Sequence, residues 1–140
     1  MHFTVYVILR DEKLEDFDYN EFEEDFSNKF CDCCGENEPE IEDVCDWFQL
    51  GGRWVDRLHA SKGITGSPAW MMAEYHRPDD NQYSACEIKD LLTTDESFEP
   101  YAFVLDDNYA EEGSTEYNSI LNQIRNKTLN GVLVALDCHM

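Results

Sequence analysis

Basic residues are scarce in this chain, which has ten Lys and Arg against 31 Asp and Glu and a formal net charge of -21. A protein with this balance repels phosphate groups, so the composition argues against direct binding to nucleic acids and to anionic membranes. The chain also lacks any apolar run of about 18 residues, so we expect no membrane span. Its first residues lack the basic and apolar regions and the cleavage site of a signal peptide, which favours the cytoplasm.

Recognisable catalytic motifs are also missing. The sequence contains no P-loop, GxGxxG, HExxH, GxSxG or protein-kinase signature. The four histidines, His2, His59, His76 and His139, are scattered and have no metal-ligand spacing. Because the chain has 31 acidic residues, pairs of carboxylates arise by chance and identify no general acid or base. The sequence therefore predicts a protein that is not an enzyme and that has no cofactor outside its cysteine cluster.

Acidic residues are in excess, and they are concentrated in residues 11–46. This segment holds 16 acidic residues and two lysines, so it carries -14 of the net charge of -21. Self-repulsion of like charge destabilises a folded state, so the concentration indicates a role in contact with another molecule. The alternative is that the acids only form a solvated face, although adaptation to high salt would spread them over the whole surface.

Hydrophobic residues make up 42% of the chain and aromatic residues 13%, which is enough for a folded domain. We expect one α+β domain over residues 1–140, with a mixed or antiparallel sheet of about four strands and two or more helices on one face. Residues 11–46 form an acidic helical and loop insert after the first strand. Apolar periodicity places strands at residues 3–9, 53–58, 101–105 and 132–136, and helices within residues 13–30, 69–75 and 115–127.

Four cysteines lie within the acidic insert, at Cys31, Cys33, Cys34 and Cys45. Cys31 and Cys34 have zinc-knuckle spacing, and structural zinc would stabilise an insert with this much like charge. A second CxxC pair is missing, so the fourth ligand would have to be Cys33, His139 or a carboxylate. Free thiols and a redox-active disulfide are the two other states that the spacing allows.

Two further segments contain residue types suited to a binding site. Gly51 and Gly52 permit a sharp turn or a close approach, and Arg53 offers a planar set of donors. The turn is either a structural corner, with Arg53 paired to a carboxylate such as Asp137, or a site for an anion or a partner. Alternation along a strand separates Cys138 from His139, so they form no catalytic pair. The residues singled out here are Trp47, Gly51, Gly52, Arg53, Trp54, Asp137 and His139.

Three separated pieces resemble one family of small phage and prophage proteins. They are HFTVYVIL at residues 2–9, DWFQLGGRW at residues 46–54 and LVALDCHM at residues 133–140. Members of this family begin with a similar His-Phe-Thr strand, carry a Trp-aromatic-x-x-Gly-Gly-Arg-Trp segment and finish on Asp-Cys-His. Residues 101–113 (YAFVLDDNYAEEG) resemble the family's penultimate strand and turn. The resemblance implies a phage origin and a shared fold, and it implies no reaction.

These observations favour a phage-encoded inhibitor that presents carboxylates in place of phosphates to a host nucleic-acid-binding protein. A helix rises about 1.5 Å per residue and duplex DNA carries one charge per about 1.7 Å, so acids on exposed turns approach the charge density of DNA. The phage resemblance suggests a defence nuclease, such as a CRISPR effector or a restriction enzyme, in the host cytoplasm. The inhibitor would be a monomer or a homodimer. The expected partner-binding residues are Glu15, Asp16, Glu21, Glu23, Glu24, Asp25, Glu36, Glu38, Glu40, Glu42 and Asp43.

The alternative is a small enzyme or ligand-binding protein whose site combines Arg53 with Asp137 and His139. This hypothesis predicts that Arg53→Ala abolishes activity and that charge reversal within residues 15–25 has no effect. The inhibitor hypothesis predicts the reverse order, together with a strong loss of binding in added salt.

Overall fold

The fold is built on a six-stranded mixed sheet whose two central strands are the first and last strands of the chain. A computed structural model describes residues 1–32, 38–54, 57–66 and 81–140. The strands are β1 (His2–Arg10), β2 (Trp47–Leu50), β3 (Leu58–His59), β4 (Gln82–Tyr83), β5 (Ala85–Glu87), β6 (Ala102–Leu105), β7 (Asn108–Glu111) and β8 (Gly131–His139). The α-helices of the described residues are α1 (Tyr19–Phe30) and α2 (Thr115–Arg125).

The order across the main sheet is β2-β8-β1-β6-β7, and β5 pairs with β8 beyond the end of β2. β1 and β8 are antiparallel over their whole length, from the pair His2 and His139 to the pair Arg10 and Gly131. β1 and β6 are parallel. β3 and β4 form a separate two-stranded sheet. Val132 to Leu136 are fully buried, because β8 lies at the centre of the sheet and is covered on both faces.

Helix α1 packs on one face of the sheet through Phe22, Phe26 and Phe30. These residues recur every four positions, so they line one side of the helix. Asp18 caps the N-terminus by accepting hydrogen bonds from the backbone N–H groups of Asn20 and Glu21. This cap explains why the α-helix begins at Tyr19, after a short 3₁₀ turn at Leu14–Asp16.

Helix α2 packs on the opposite face of the sheet. Tyr117, Ile120, Leu121 and Ile124 are buried against residues of β1, β6 and β8 that point to this side. Ser114 caps the helix by accepting from the backbone N–H of Tyr117 at 3.1 Å, as the sequence predicts. Each helix therefore covers its own face of the sheet.

The predicted α+β fold class is confirmed, with three corrections of detail. The main sheet has six strands where about four were expected, and α1 and α2 lie on opposite faces where one face was expected. The predicted strand over residues 53–58 is wrong, because the chain forms a 3₁₀ turn at Gly52–Trp54 and the strand β2 precedes the glycines. The predicted helix at residues 69–75 lies outside the described residues. Neither α1 nor α2, the α-helices of the described part, has the length and apolar composition needed to span a membrane.

Candidate functional site

The predicted partner-binding acids on α1 are exposed: Glu21, Glu24 and Asp25 face away from the sheet, and Glu23 borders the aromatic side, next to Tyr19. Glu21, Glu23, Glu24 and Asp25 are exposed, while the phenylalanines between them are buried. Glu15 and Asp16, in the 3₁₀ turn before the helix, are exposed as well. The alternation of aromatic and acidic residues thus gives α1 one apolar side and one anionic side.

Residues 38–43 extend this anionic side past the C-terminus of α1. The backbone N–H groups of Glu40 and Ile41 donate to the carbonyl oxygens of Asn28 and Lys29, at 2.9 Å and 3.0 Å. The C-terminus of a helix carries a partial negative charge, so placing further acids there is electrostatically unfavourable. The exposed acids of this segment are Glu38, Glu40, Glu42 and Asp43. Glu36 lies outside the described residues.

The exposed acids of residues 15–16, α1 and residues 38–43 together form what we call the acidic surface. Among the described acids of residues 11–46, only Asp25 and Asp46 form ion pairs. Lys29 bridges Asp25 and Asp107 at 3.1 Å each, which joins the acidic surface to the turn between β6 and β7. Burial, together with the charges of Glu111 and Glu42, raises the pKa of Tyr109 on β7. The acidic surface therefore reaches the β7 edge of the sheet.

A second group of polar residues lies at one end of the sheet, on the same face as α2. His139 on β8 is the register partner of both His2 on β1 and Trp47 on β2. The Trp47 and His139 rings stack with 5.1 Å between centroids and 12° between planes. The His2 ring meets both of them edge to face, at 5.5 Å and 5.1 Å.

Asp137, the next residue of β8 on this face, is fully buried and has both carboxylate oxygens engaged. Oδ1 accepts a hydrogen bond from His2 Nδ1 at 2.8 Å, and Oδ2 accepts from the backbone N–H of Arg53 at 3.0 Å. Gly52 lies directly against this carboxylate: a Cβ atom there would be 2.5 Å from Asp137 Cβ and Oδ2. Only glycine fits, because φ at Gly52 is also +53°.

His139 also bonds to a carboxylate through Nδ1, which donates to Asp46 Oδ1 at 2.9 Å. This hydrogen bond lowers the pKa of Asp46. We call His2, Asp46, Trp47, Asp137 and His139 the polar end cluster. A carboxylate on Nδ1 fixes the orientation of an imidazole and leaves Nε2 to contact a ligand or accept a proton, so the cluster can present two oriented imidazoles.

Two buried polar atoms near the polar end cluster have no hydrogen-bond partner within the described residues. One is Oε1 of Gln49, which pairs with Asp137 across β2 and β8, and the other is Nε1 of Trp54, at the end of the glycine turn. A buried acceptor or donor without a partner costs about 1–3 kcal/mol. The Arg57 guanidinium lies over the Trp54 ring, 5.0 Å from its centroid.

The sequence-predicted residues of the glycine turn and of the last strand do come together at this end of the sheet. Asp137 contacts Arg53 through its backbone N–H, whereas the sequence suggested a pairing with the guanidinium. Sequence reasoning missed His2, Asp46 and Gln49. The antiparallel register of β1 with β8, which aligns His2 with His139, is the signal that identifies His2. The residues that lie at this end of the sheet are Trp47, Gly51, Gly52, Arg53, Trp54, Asp137 and His139.

Cys31 and Cys45, the described cysteines of the acidic insert, lie on the α1 face of the sheet, opposite the polar end cluster. Cys31 and Cys45 form an isolated β-bridge, and both are buried together with Cys138. Burial and a hydrogen bond to Cys45 raise the pKa of Cys138 far above its usual value, so its thiol is neutral and unreactive. No group of three or more metal-binding side chains is arranged to hold an ion in the described part of the chain. Cys34, which the zinc hypothesis requires, and Cys33, one of its possible fourth ligands, lie outside that part.

No protein-family model, curated protein or solved structure matches the chain. The resemblance to small phage proteins therefore stays a prediction.

Proposed function

We propose that this protein is an acidic inhibitor that occupies the cationic groove of a nucleic-acid-binding protein. Its acidic surface takes the place of the phosphate backbone in that groove. The resemblance to phage proteins suggests a host defence nuclease as the partner, such as a CRISPR effector or a restriction enzyme. Direct binding of nucleic acid by this chain is disfavoured by its net charge of -21.

The observation that carries this proposal is the near absence of counterions on the acidic surface. Within its described residues, Lys29 is the only base, and it pairs with Asp25 and Asp107. Glu21, Glu23 and Glu24 form no ion pair with any described residue. Their mutual repulsion costs stability, and a cationic partner would relieve it.

The spacing of the charges agrees with the proposal. Successive helical residues are about 1.5 Å apart along the axis, and duplex DNA has one charge per about 1.7 Å. Glu21, Glu23, Glu24 and Asp25 are exposed within about one and a half turns of α1. Arginine and lysine side chains arranged for a phosphate backbone can therefore reach several of these carboxylates together.

The test is affinity capture from infected host cells with the tagged full chain, at low and at high salt. Two variants each remove three negative charges, leaving -18 from -21. The first changes the outer side of α1, and the matched control changes exposed or half-exposed acids elsewhere. The substitutions are Glu21→Gln, Glu23→Gln and Glu24→Gln in the first, and Glu96→Gln, Glu99→Gln and Glu112→Gln in the control.

We expect the wild-type chain and the control variant to capture the same nucleic-acid-binding protein at low salt and to release it at high salt. The α1 variant should capture much less of it, because its loss of charge falls on the contact surface. Equal capture by both variants, or capture that high salt does not weaken, would contradict the proposal.

The polar end cluster favours a second candidate function, a small-molecule site for an anion. Two oriented imidazoles lie beside the glycine turn, and Trp54 Nε1, a hydrogen-bond donor, has no partner within the described residues. Titration with inorganic phosphate, followed by NMR of the His2 and His139 ring protons, tests this candidate. Saturable shifts that Arg53→Ala abolishes would support it, and unchanged ring signals would refute phosphate binding there.

A further inference from the structure

The edge strand β7 leaves backbone hydrogen-bonding groups unpaired. β6 and β7 are joined by the two-residue turn at Asp106 and Asp107, whose φ angles are both positive, at 52° and 65°. In a hairpin of this type, the two residues that flank the turn form a hydrogen-bonded pair. The following cross-strand pairs then alternate between non-hydrogen-bonded and hydrogen-bonded. The N–H and C=O of Tyr109 and the N–H of Glu111 therefore point away from β6, and no described strand lies on that side.

A groove runs beside this edge, between β7 and α2. Its volume is about 660 Å³. Leu105 and Ala110 from the hairpin and Ile120 from α2 are buried apolar residues that line the groove, while Ser119 and Gln123 also line it from α2. A strand edge bordered by a helix is a suitable place for an extended segment, which can pair with the strand and place alternate side chains in the groove.

The charge of the groove selects the kind of segment that can bind there. Glu111 and Glu116 are exposed and line it, and no Lys or Arg is among its described lining residues. Asp106 also lines the groove, but it is already paired with Arg10 at 2.8 Å. A second copy of this chain would bring an identical acidic edge and a further net charge of -21, so self-pairing is disfavoured. A segment that carries lysine or arginine is attracted instead.

We infer that β7 and α2 form a docking site for an extended, basic peptide segment of a partner protein, which adds to the sheet as a further strand. Backbone hydrogen bonds to Tyr109 and Glu111 hold the segment in register, and its basic side chains pair with Glu111 and Glu116. This site goes beyond the proposed function, because it recognises the backbone of an extended segment and uses none of the α1 acids.

The experiment is NMR titration of the ¹⁵N-labelled full chain with short synthetic peptides. The test peptide alternates lysine and valine. A second peptide replaces lysine with glutamate, and a third is the lysine peptide with N-methyl groups on alternate backbone nitrogens. The N-methylated peptide keeps its charge and cannot pair as a strand. We expect the lysine peptide to shift the amide signals of residues 106–123, the glutamate peptide to leave them unchanged, and N-methylation to weaken binding about tenfold or more.

A matched pair of variants separates the backbone contact from the charge. Glu111→Gln removes the charge alone, whereas Glu111→Pro also removes the outward N–H, at an edge position where proline is tolerated. Glu111→Pro should bind the lysine peptide more weakly than Glu111→Gln, and the α1 variant that tests the proposed function should bind it like the wild type. If Glu111→Pro does not fold, the comparison of the methylated and unmethylated peptides decides.

Three results would overturn the inference. The first is equal binding of the methylated and unmethylated lysine peptides, which would indicate attraction by charge alone. The second is a set of shifts that maps to α1 in place of residues 106–123. The third is a dimer in analytical ultracentrifugation that Glu111→Pro abolishes, because the occupant of the β7 edge would then be a second copy of the chain.

Discussion

Gly52→Ala tests whether the glycine turn is held against the buried carboxylate of Asp137. At φ +53° an alanine costs about 1–2 kcal/mol, because its Cβ crowds the backbone in the left-handed region. Its Cβ would also lie 2.5 Å from Asp137 Cβ and Oδ2 and 2.9 Å from Asp137 Cγ. Asp137 is fully buried and bonded on both oxygens, so it has no room to move, and this overpacking adds about 1–3 kcal/mol.

Gly113→Ala is the matched control. Gly113 also has a positive φ, at +90°, and a Cβ atom there would have no neighbour within 4 Å. Urea denaturation should give a loss in the free energy of unfolding of about 2–5 kcal/mol for Gly52→Ala and about 1–2 kcal/mol for Gly113→Ala. In addition, the His2 ring signals should shift in Gly52→Ala alone. Equal losses in the two variants would refute the packing of Gly52 on Asp137.

Three other predictions concern the buried thiols, the α2 anchor and the pH dependence of the polar end cluster. Burial raises the pKa of Cys86 to about 12, so iodoacetamide at neutral pH should alkylate this thiol about a thousandfold more slowly in the native protein than in denaturant. Rapid labelling of the native protein would contradict this. The Tyr117 hydroxyl donates to the buried Pro100 carbonyl at 2.6 Å, so Tyr117→Phe should lower the free energy of unfolding by about 1–2 kcal/mol. An unchanged urea midpoint would show that this hydrogen bond contributes nothing to stability. The hydrogen bond from His139 lowers the folded-state pKa of Asp46, so this pairing stabilises the fold above the usual Asp pKa of about 4, and the stabilisation is lost as the pH falls through the lower folded value. His139→Asn should therefore raise the pKa of Asp46 in a carboxyl NMR titration, and an unchanged pKa would contradict the pairing.

Elements with a strong local pattern were predictable from the sequence. The spacing of Tyr117, Ile120, Leu121 and Ile124 predicts an amphipathic helix without any knowledge of the rest of the fold, and Ser114 marks its start. The uninterrupted apolar run of β8 likewise requires a strand that is buried on both faces.

Features that depend on distant residues were not predictable. The chain forms a 3₁₀ turn after β2, and that turn is held by the hydrogen bond from the Arg53 N–H to Asp137, which is 84 positions later in the chain. His2 joins the polar end cluster because β1 pairs with β8 from end to end. Neither the register of the first and last strands nor the face on which each helix packs is encoded locally.

The sequence predicted that residues 11–46 expose their acids, but it did not predict how the separate parts of this segment are arranged in the acidic surface. The stripe of Phe22, Phe26 and Phe30 predicts that α1 exposes its acids. The position of residues 38–43 beyond the C-terminus of α1 depends on backbone hydrogen bonds to Asn28 and Lys29, which no residue pattern indicates.

Competition with duplex DNA on the captured partner is the most direct measurement of the proposed function. Labelled duplex is bound to that partner, and the full chain is then added at low salt while fluorescence anisotropy reports the bound DNA. If the acidic surface occupies the DNA groove, the wild-type chain and the Glu96, Glu99 and Glu112 control displace the duplex completely, and the Glu21, Glu23 and Glu24 variant displaces it poorly. A stable ternary complex of partner, DNA and chain would contradict the account.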